Sequence, residues 1–154
     1  MPKIDIDKVR VSTRSFYPPP FDKAVAGRET QRLGDAAGLT QFGVSLVRLK
    51  PGAAAGIRHW HDNEDEFIYV LEGEATLVEN EGETPLGPGD AAGFKAGVPN
   101  GHSMVNKSNA DVVMLVVGTR AKQERGHYPD VDLAYEFDGK AFRFLHKSGE
   151  SYPS

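Results

Sequence analysis

Apolar positions in this chain fall in short runs of two kinds. In EATLVEN, residues 74–80, apolar and polar side chains alternate, the pattern of a strand with one wet face. EFIYVLEG (66–73) and VVMLVV (112–117) are apolar on both faces, so such strands must be covered twice. Further short runs at 44–49, 91–94 and 102–105 complete a set of strands at 44–49, 66–71, 75–79, 91–94, 102–105 and 112–118. The 17 glycines and 10 prolines punctuate the chain at close intervals, and no dozen residues carry a helical apolar period. The pattern predicts an all-β sandwich or small barrel.

The ends differ from the middle. YPPPFD (17–22) is extended or turn-like, because a residue before proline is pushed out of the helical region, and the first 42 residues read as an arm with edge strands. At the other end, Asp138-Gly139 lies between two alternating runs in LAYEFDGKAFRFLHK (133–147), the signature of a tight hairpin. The chain therefore divides into an arm (1–42), a barrel (43–119) and a hairpin extension (120–154) packed on the same domain. Strands covered twice need a second layer, a terminal segment or another subunit, and a homodimer is expected.

Composition narrows the partners. With 154 residues, 39% hydrophobic, the chain can bury one core without cross-links. Its 18 basic and 22 acidic residues give a net charge of −4 with no basic block, which argues against nucleic acid as a partner. No run reaches the length of a membrane helix, and MPKIDIDKVR lacks the apolar centre of a secretory signal, so a cytoplasmic protein with no membrane partner is expected. There are no cysteines, so any metal must be held by nitrogen and oxygen.

The chemistry concentrates in RHWHDNEDEFIYVLEG, residues 58–73. His59 and His61 are two apart, so on a strand both rings leave one face while Trp60 packs on the other. Glu66 heads an inward row with Ile68 and Val70, and a lone carboxylate buried there needs a cation or a raised pKa. His102 opens a later strand after a glycine-rich reversal. Three imidazoles and one carboxylate make a ligand set for a single metal ion. Asp62, Glu64 and Asp65 read as turn and rim charges, His127 and His146 as structural, and Arg48, Arg58, Lys95 and Arg120 as surface residues that could meet an anion.

These residues carry a resemblance. PGAAAGIRHWHDNEDEFIYVLEG (51–73) resembles the first motif of the cupin superfamily: His, one residue, His, four residues, Glu, six residues, Gly, on His59, His61, Glu66 and Gly73, with Gly52 leading one position early. GFKAGVPNGHSMVN (93–106) looks like the second motif through His102 and Asn106, although a shorter register would turn Asn100 to the metal instead. GFKAGVPNGH with VVGTR and HYPDVDL is similar to a bacterial single-cupin group, some members of which are called sugar-phosphate isomerase-like. The resemblance implies a jelly-roll β-barrel, commonly dimeric, with one divalent transition metal (Zn, Fe, Mn or Ni) on His59, His61, Glu66 and His102. It also implies a small-molecule ligand or substrate. The expected activity is a metal-dependent isomerase or dioxygenase on a sugar- or organic-acid-like molecule. The alternative is a binding or sensor cupin without turnover, and the catalytic residues stay unassigned.

Overall fold

The computed structural model describes residues 2–153. The strands are β1 Val11–Ser12, β2 Arg28–Arg32, β3 Phe42–Leu49, β4 Trp60–His61, β5 Glu66–Glu72, β6 Ala75–Glu79, β7 Gly82–Leu86, β8 Ala91–Phe94, β9 Ser103–Val105, β10 Val112–Thr119, β11 Glu124–Tyr128, β12 Leu133–Phe137 and β13 Phe142–Leu145. One α-helical turn, α1, lies among the described residues at Leu33–Ala36. Three antiparallel sheets result, in the orders β1-β2-β3-β10-β5-β8, β13-β12-β11-β4 and β7-β6-β9. All six strands expected within 44–118 are present, and so is the hairpin across Asp138-Gly139, which extends the β11-β4 pair. No helix among the described residues is long and apolar enough to cross a membrane.

Alternation decides which side chains enter the barrel. Ile68 and Val70 of β5, Val47 and Leu49 of β3 and Met114 of β10 are buried, and they close on Leu77 of β6 and Met104 of β9. The outward residues of the same strands, Phe67, Tyr69 and Leu71, are 38–44% exposed. Beside them in register lie Leu115 opposite Tyr69, Val117 opposite Phe67, and Leu46 and Val44 beyond. The outer face of the six-stranded sheet is therefore apolar across three strands.

A second core joins the two ends of the chain. Tyr17 and Phe21 of the arm pack with Tyr128, Leu133, Tyr135 and Phe144 of the C-terminal strands, and the Tyr17 hydroxyl accepts from Ile57 N at 3.2 Å. The arm is thus docked against the segment leading into β4. Gly73 turns the chain out of β5 with φ +78, and a Cβ there would lie 2.4 Å from Asp111 O. Both the backbone conformation and the close approach require glycine.

Candidate metal centre

The four expected residues come from separate parts of the sheets. His61 lies in β4 and Glu66 at the head of β5, while His59 and His102 bridge each other through reciprocal backbone bonds, N to O at 3.1 and 2.9 Å. His59, His61 and Glu66 each bring one ligating atom within 4.8 Å of the others. His102 Nε2 lies 3.1 Å from Glu66 Oε1, and His61 Nε2 lies 3.5 Å from Glu66 Oε2. The ring centroids of His59 and His102 are 4.8 Å apart.

The outer nitrogens test whether a metal fits. His59 Nδ1 is 2.6 Å from Ile57 O, and a carbonyl can only accept, so the proton sits on Nδ1 and Nε2 keeps a free lone pair. His61 Nδ1 meets the Tyr135 hydroxyl at 2.8 Å, leaving Nε2 for the cluster. A partner on the outer nitrogen is the usual arrangement around a ligating histidine. His102 Nε2 faces a carboxylate and so carries a proton here, which leaves Nδ1 as a buried nitrogen without a partner. Ligation through that Nε2 would require its proton to leave. The His102 ring is held flat against Phe94, with centroids 3.6 Å apart. The donor chemistry of His59, His61 and Glu66 suits a divalent ion, with His102 placed against Glu66 beside them.

Asn100 is held by other partners: its amide donates to Glu79 Oε1 at 3.0 Å and its carbonyl oxygen accepts from Asn80 N at 3.0 Å. Asn106 is fully buried and structural, tying Leu49 O and Ala110 O. His127 stacks on Trp60 and bonds Asp62 at 2.8 Å, and His146 pairs with Asp132. Neither histidine reaches the cluster.

Electrostatics set the protonation states. Burial lowers the His59 imidazole to about 4. Burial alone would raise the Glu66 carboxyl, but hydrogen bonds with His102 and His61 hold it well below the usual carboxylate range. For His61 burial again opposes charge, but Glu66, Glu124 and Glu64 together push the imidazole up. The stability consequence has a definite sign. The unfolded His59 takes a proton near pH 6.5 and the folded one only near pH 4, so between these values the unfolded chain binds more protons. Glu66 adds a loss below 4.5, whereas the raised His61 acts oppositely, adding stability below 6.5 that is lost as pH rises through its folded pKa. Chelator-treated protein unfolded in denaturant should lose stability from pH 6.5 to 4, with a His59 share of at most about 1.4 kcal/mol per pH unit. A His59→Gln variant should show a shallower slope; an identical slope would refute the assignment.

Sequence reading placed Arg58 on the surface and Glu64 on a rim, and the structure half-buries both. The Arg58 side chain is only 16% exposed. It bonds both oxygens of Asp130 at 2.8 and 2.7 Å, reaches Gly101 O at 3.1 Å and also contacts Asn80. It therefore ties the residue before His59 to the residue before His102. Arg58→Ala should cost about 1.5–3 kcal/mol, the range for hydrogen bonds to charged groups. A denaturant midpoint unchanged from the wild type would show that the clamp carries no load. Glu64 is half-buried beside Glu124, accepts from Ala121 N at 2.9 Å, and has its carboxyl pushed up by burial and by Glu124.

Two cavities reach the cluster. One, of about 260 Å³, is bordered by His59, Glu66 and His102 and by Arg28, Arg32 and Phe16. The other, of about 230 Å³, lies against His61 and His102 and is bordered by Glu64, Glu79 and Lys95. His102 borders both.

The Cupin domain family model matches residues 45–118. Over 71 residues the chain is 34% identical to the oxalate-binding protein of Thermotoga maritima, covering 46% of this chain and 56% of that protein. The chain thus spans little more than half the length of that curated relative. Among solved structures, a cupin-superfamily sugar phosphate isomerase from Silicibacter pomeroyi is 46% identical over 99% of this chain and 97% of its own, with a TM-score of 0.94. A candidate sugar phosphate isomerase from Acidithiobacillus ferrooxidans is 26% identical, covering 96% and 90%, with a TM-score of 0.80. With such likeness along nearly its whole length, and the domain model lying over the strands that carry Glu66 and the histidines, the chain belongs to the cupin superfamily.

Proposed function

We propose that the chain is a metal-dependent enzyme, isomerase or dioxygenase in type, acting on a small polar molecule of sugar or organic-acid character. The observation that carries this reading is the cluster of His59, His61 and Glu66, with His102 against Glu66, where His59, Glu66 and His102 border a 260 Å³ cavity. Those four side chains are the ligands in this reading, and the ion is Zn, Fe, Mn or Ni. When bound, it supplies Lewis-acid polarisation of a substrate oxygen or, if redox-active, chemistry with O₂. The barrel of residues 43–119 holds all four ligands, and the arm of residues 1–42 walls the cavity through Phe16, Arg28 and Arg32.

The chain's own residues divide the remaining work. Arg28, Thr30 and Arg32 bind and orient polar groups in the first cavity, and Phe94 screens one face of His102 from water. Glu64, which borders the second cavity, is one of two carboxyls outside the ligand set beside His61, with Glu124, and is assigned to carry a proton. Glu64→Gln should lower kcat tenfold or more with metal content unchanged; an unaffected kcat would remove Glu64 from the mechanism.

A second reading, a binding protein without turnover, has its own support. Among the described residues, the first cavity is bordered by no carboxyl, imidazole or phenol other than those of the cluster, and the Thermotoga maritima relative is an oxalate-binding protein. Incubating metal-loaded protein with aldose and ketose phosphates and with hydroxy and keto acids separates the two. Turnover abolished by chelation supports the enzyme, and tight binding of a compound recovered unchanged supports the carrier. In the same reading two copies pair through the outer sheet face of Phe67, Tyr69 and Leu71, so light scattering should give twice the 16.8 kDa chain mass.

A further inference from the structure

The inward face of β2 is charged where a barrel strand is ordinarily apolar. Arg28 pairs with Leu49, Thr30 with Val47 and Arg32 with Ser45, so all three share the pleat face of buried Val47 and Leu49. The outward residues of the strand, Glu29 and Gln31, lie on the opposite face. Arg28 and Arg32 both border the cavity that holds His59, Glu66 and His102.

Neither guanidinium has a carboxylate partner among the described residues. Arg28 is half-buried, and its hydrogen bonds go to backbone carbonyls, Ala55 O at 2.7 Å and Arg14 O at 3.1 Å. Two of its five N–H donors are thereby used, and the others remain for a ligand. Arg32 lies over the Phe16 ring at 5.3 Å, and Arg14 lies over the same ring at 4.9 Å. The carboxylate that borders this cavity is Glu66, which is already engaged by His61 and His102. Outward, the cavity shares Phe16, Thr30 and Arg32 with a wider vestibule that Lys3, Arg10 and Arg14 border, along with Asp5 and Asp35, which pair with Lys8 and Arg120. A chain with a net charge of −4 thus keeps its passage to the cluster positive.

We propose that Arg28 and Arg32 form an anion subsite that holds the carboxylate or phosphate group of the molecule bound at the cluster. The half-buried, unpaired guanidinium of Arg28 is costly unless an anion joins it, and Arg32, exposed on the same strand face, adds a second fork for such a group. The volume, about that of nine waters, admits a charged molecule of a few carbons. The subsite rests on the reading of this cavity as the ligand chamber. It narrows that chamber's ligand to an anion.

Calorimetric titration with inorganic phosphate and, separately, with oxalate tests it, using metal-loaded wild type, Arg28→Gln and Arg32→Gln, with metal content measured on every sample. At least one anion should bind the wild type and weaken tenfold or more in both variants while metal content stays constant. Phosphate alone identifies a phosphorylated ligand and oxalate alone a carboxylate, and either supports the subsite. No binding to the wild type, or weakening below threefold in Arg32→Gln, overturns it. Because Arg28 also ties Ala55 and Arg14, its variant could misfold; Arg32 holds no such bond, so Arg32→Gln then decides alone. Should the wild type take up no metal, the ligand assignment fails while the same titrations on metal-free protein still judge the arginines.

Discussion

Glu66→Gln is expected to empty the proposed metal centre while leaving the barrel folded. The substitution keeps the volume of a side chain that heads the inward row of β5 and removes the one negative charge among three imidazoles. Metal content should fall from about one ion per chain to nearly none, by elemental analysis of protein purified without chelator. Thermal unfolding gives a second readout. Metal at a hundredfold excess over Kd should add about 2.7 kcal/mol to wild-type stability. In a chain of this size that corresponds to roughly 5–10 °C in Tm. The increment should vanish in Glu66→Gln and in His59→Ala. Retention of one ion per chain in both variants would sink the four-ligand assignment.

Gly126→Ala should be as damaging, for a reason hidden until the strands are paired. Gly126 sits in β11 between His61 of β4 and Tyr135 of β12, and all three share one row of the sheet. The Tyr135 ring lies across the bare glycine to bring its hydroxyl to His61 Nδ1. A Cβ at residue 126 would fall 2.0 Å from a ring carbon. No rotation of a methyl group relieves such an overlap, so either the ring or the strand must move. The cost should reach about 3 kcal/mol, with metal affinity lowered about 10–100-fold through the loss of the His61 partner. Tyr135→Phe separates the two effects, because it keeps the ring and removes the hydroxyl. That variant should lose affinity with much less loss of stability; equal metal affinity in it would show that Tyr135 only fills space.

The readable part of this fold was the part that buries apolar rows. Strands β3, β5, β6, β8, β9 and β10 announce themselves through Val, Ile, Leu and Phe. The phase of Ile68 and Val70 also fixed the direction of Glu66. Strand β2 escaped because its sequence, RETQR, has a period of two in which neither face is apolar. Hydrophobic alternation carries no signal there, although charged residues at 28 and 32 flanking Thr30 were a pattern that could have been sought. β7 contains Pro85, which demotes a run to an edge strand, and β7 is indeed an edge of its sheet. β4 is two residues long, too short for any period. The link from Tyr135 to His61 spans 74 positions, and the burial of Arg58 depends on Asp130, 72 positions on. Such partners are set by sheet order, which local pattern does not encode.

The connection from β4 to β5 has a consequence for how the chain can change length. Asp62, Asn63, Glu64 and Asp65 carry the chain from the four-stranded sheet to the six-stranded one, and each is fastened. Asp62 N donates to Arg125 O, Asn63 N to Glu124 Oε1 and Asp65 N to the Thr119 hydroxyl, while Glu64 accepts from Ala121 N. An inserted or deleted residue here would not swell a loop. It would shift β5 by one pleat, turn Phe67 into the barrel and send Glu66 to the outer face. Trial insertions should therefore be tolerated at the exposed turns around Gly82 and Gly139 and fatal to the centre between His61 and Glu66. Four residues of tether are a measured distance between two parts of one site, as much a determinant of what the barrel can hold as the side chains at its ends.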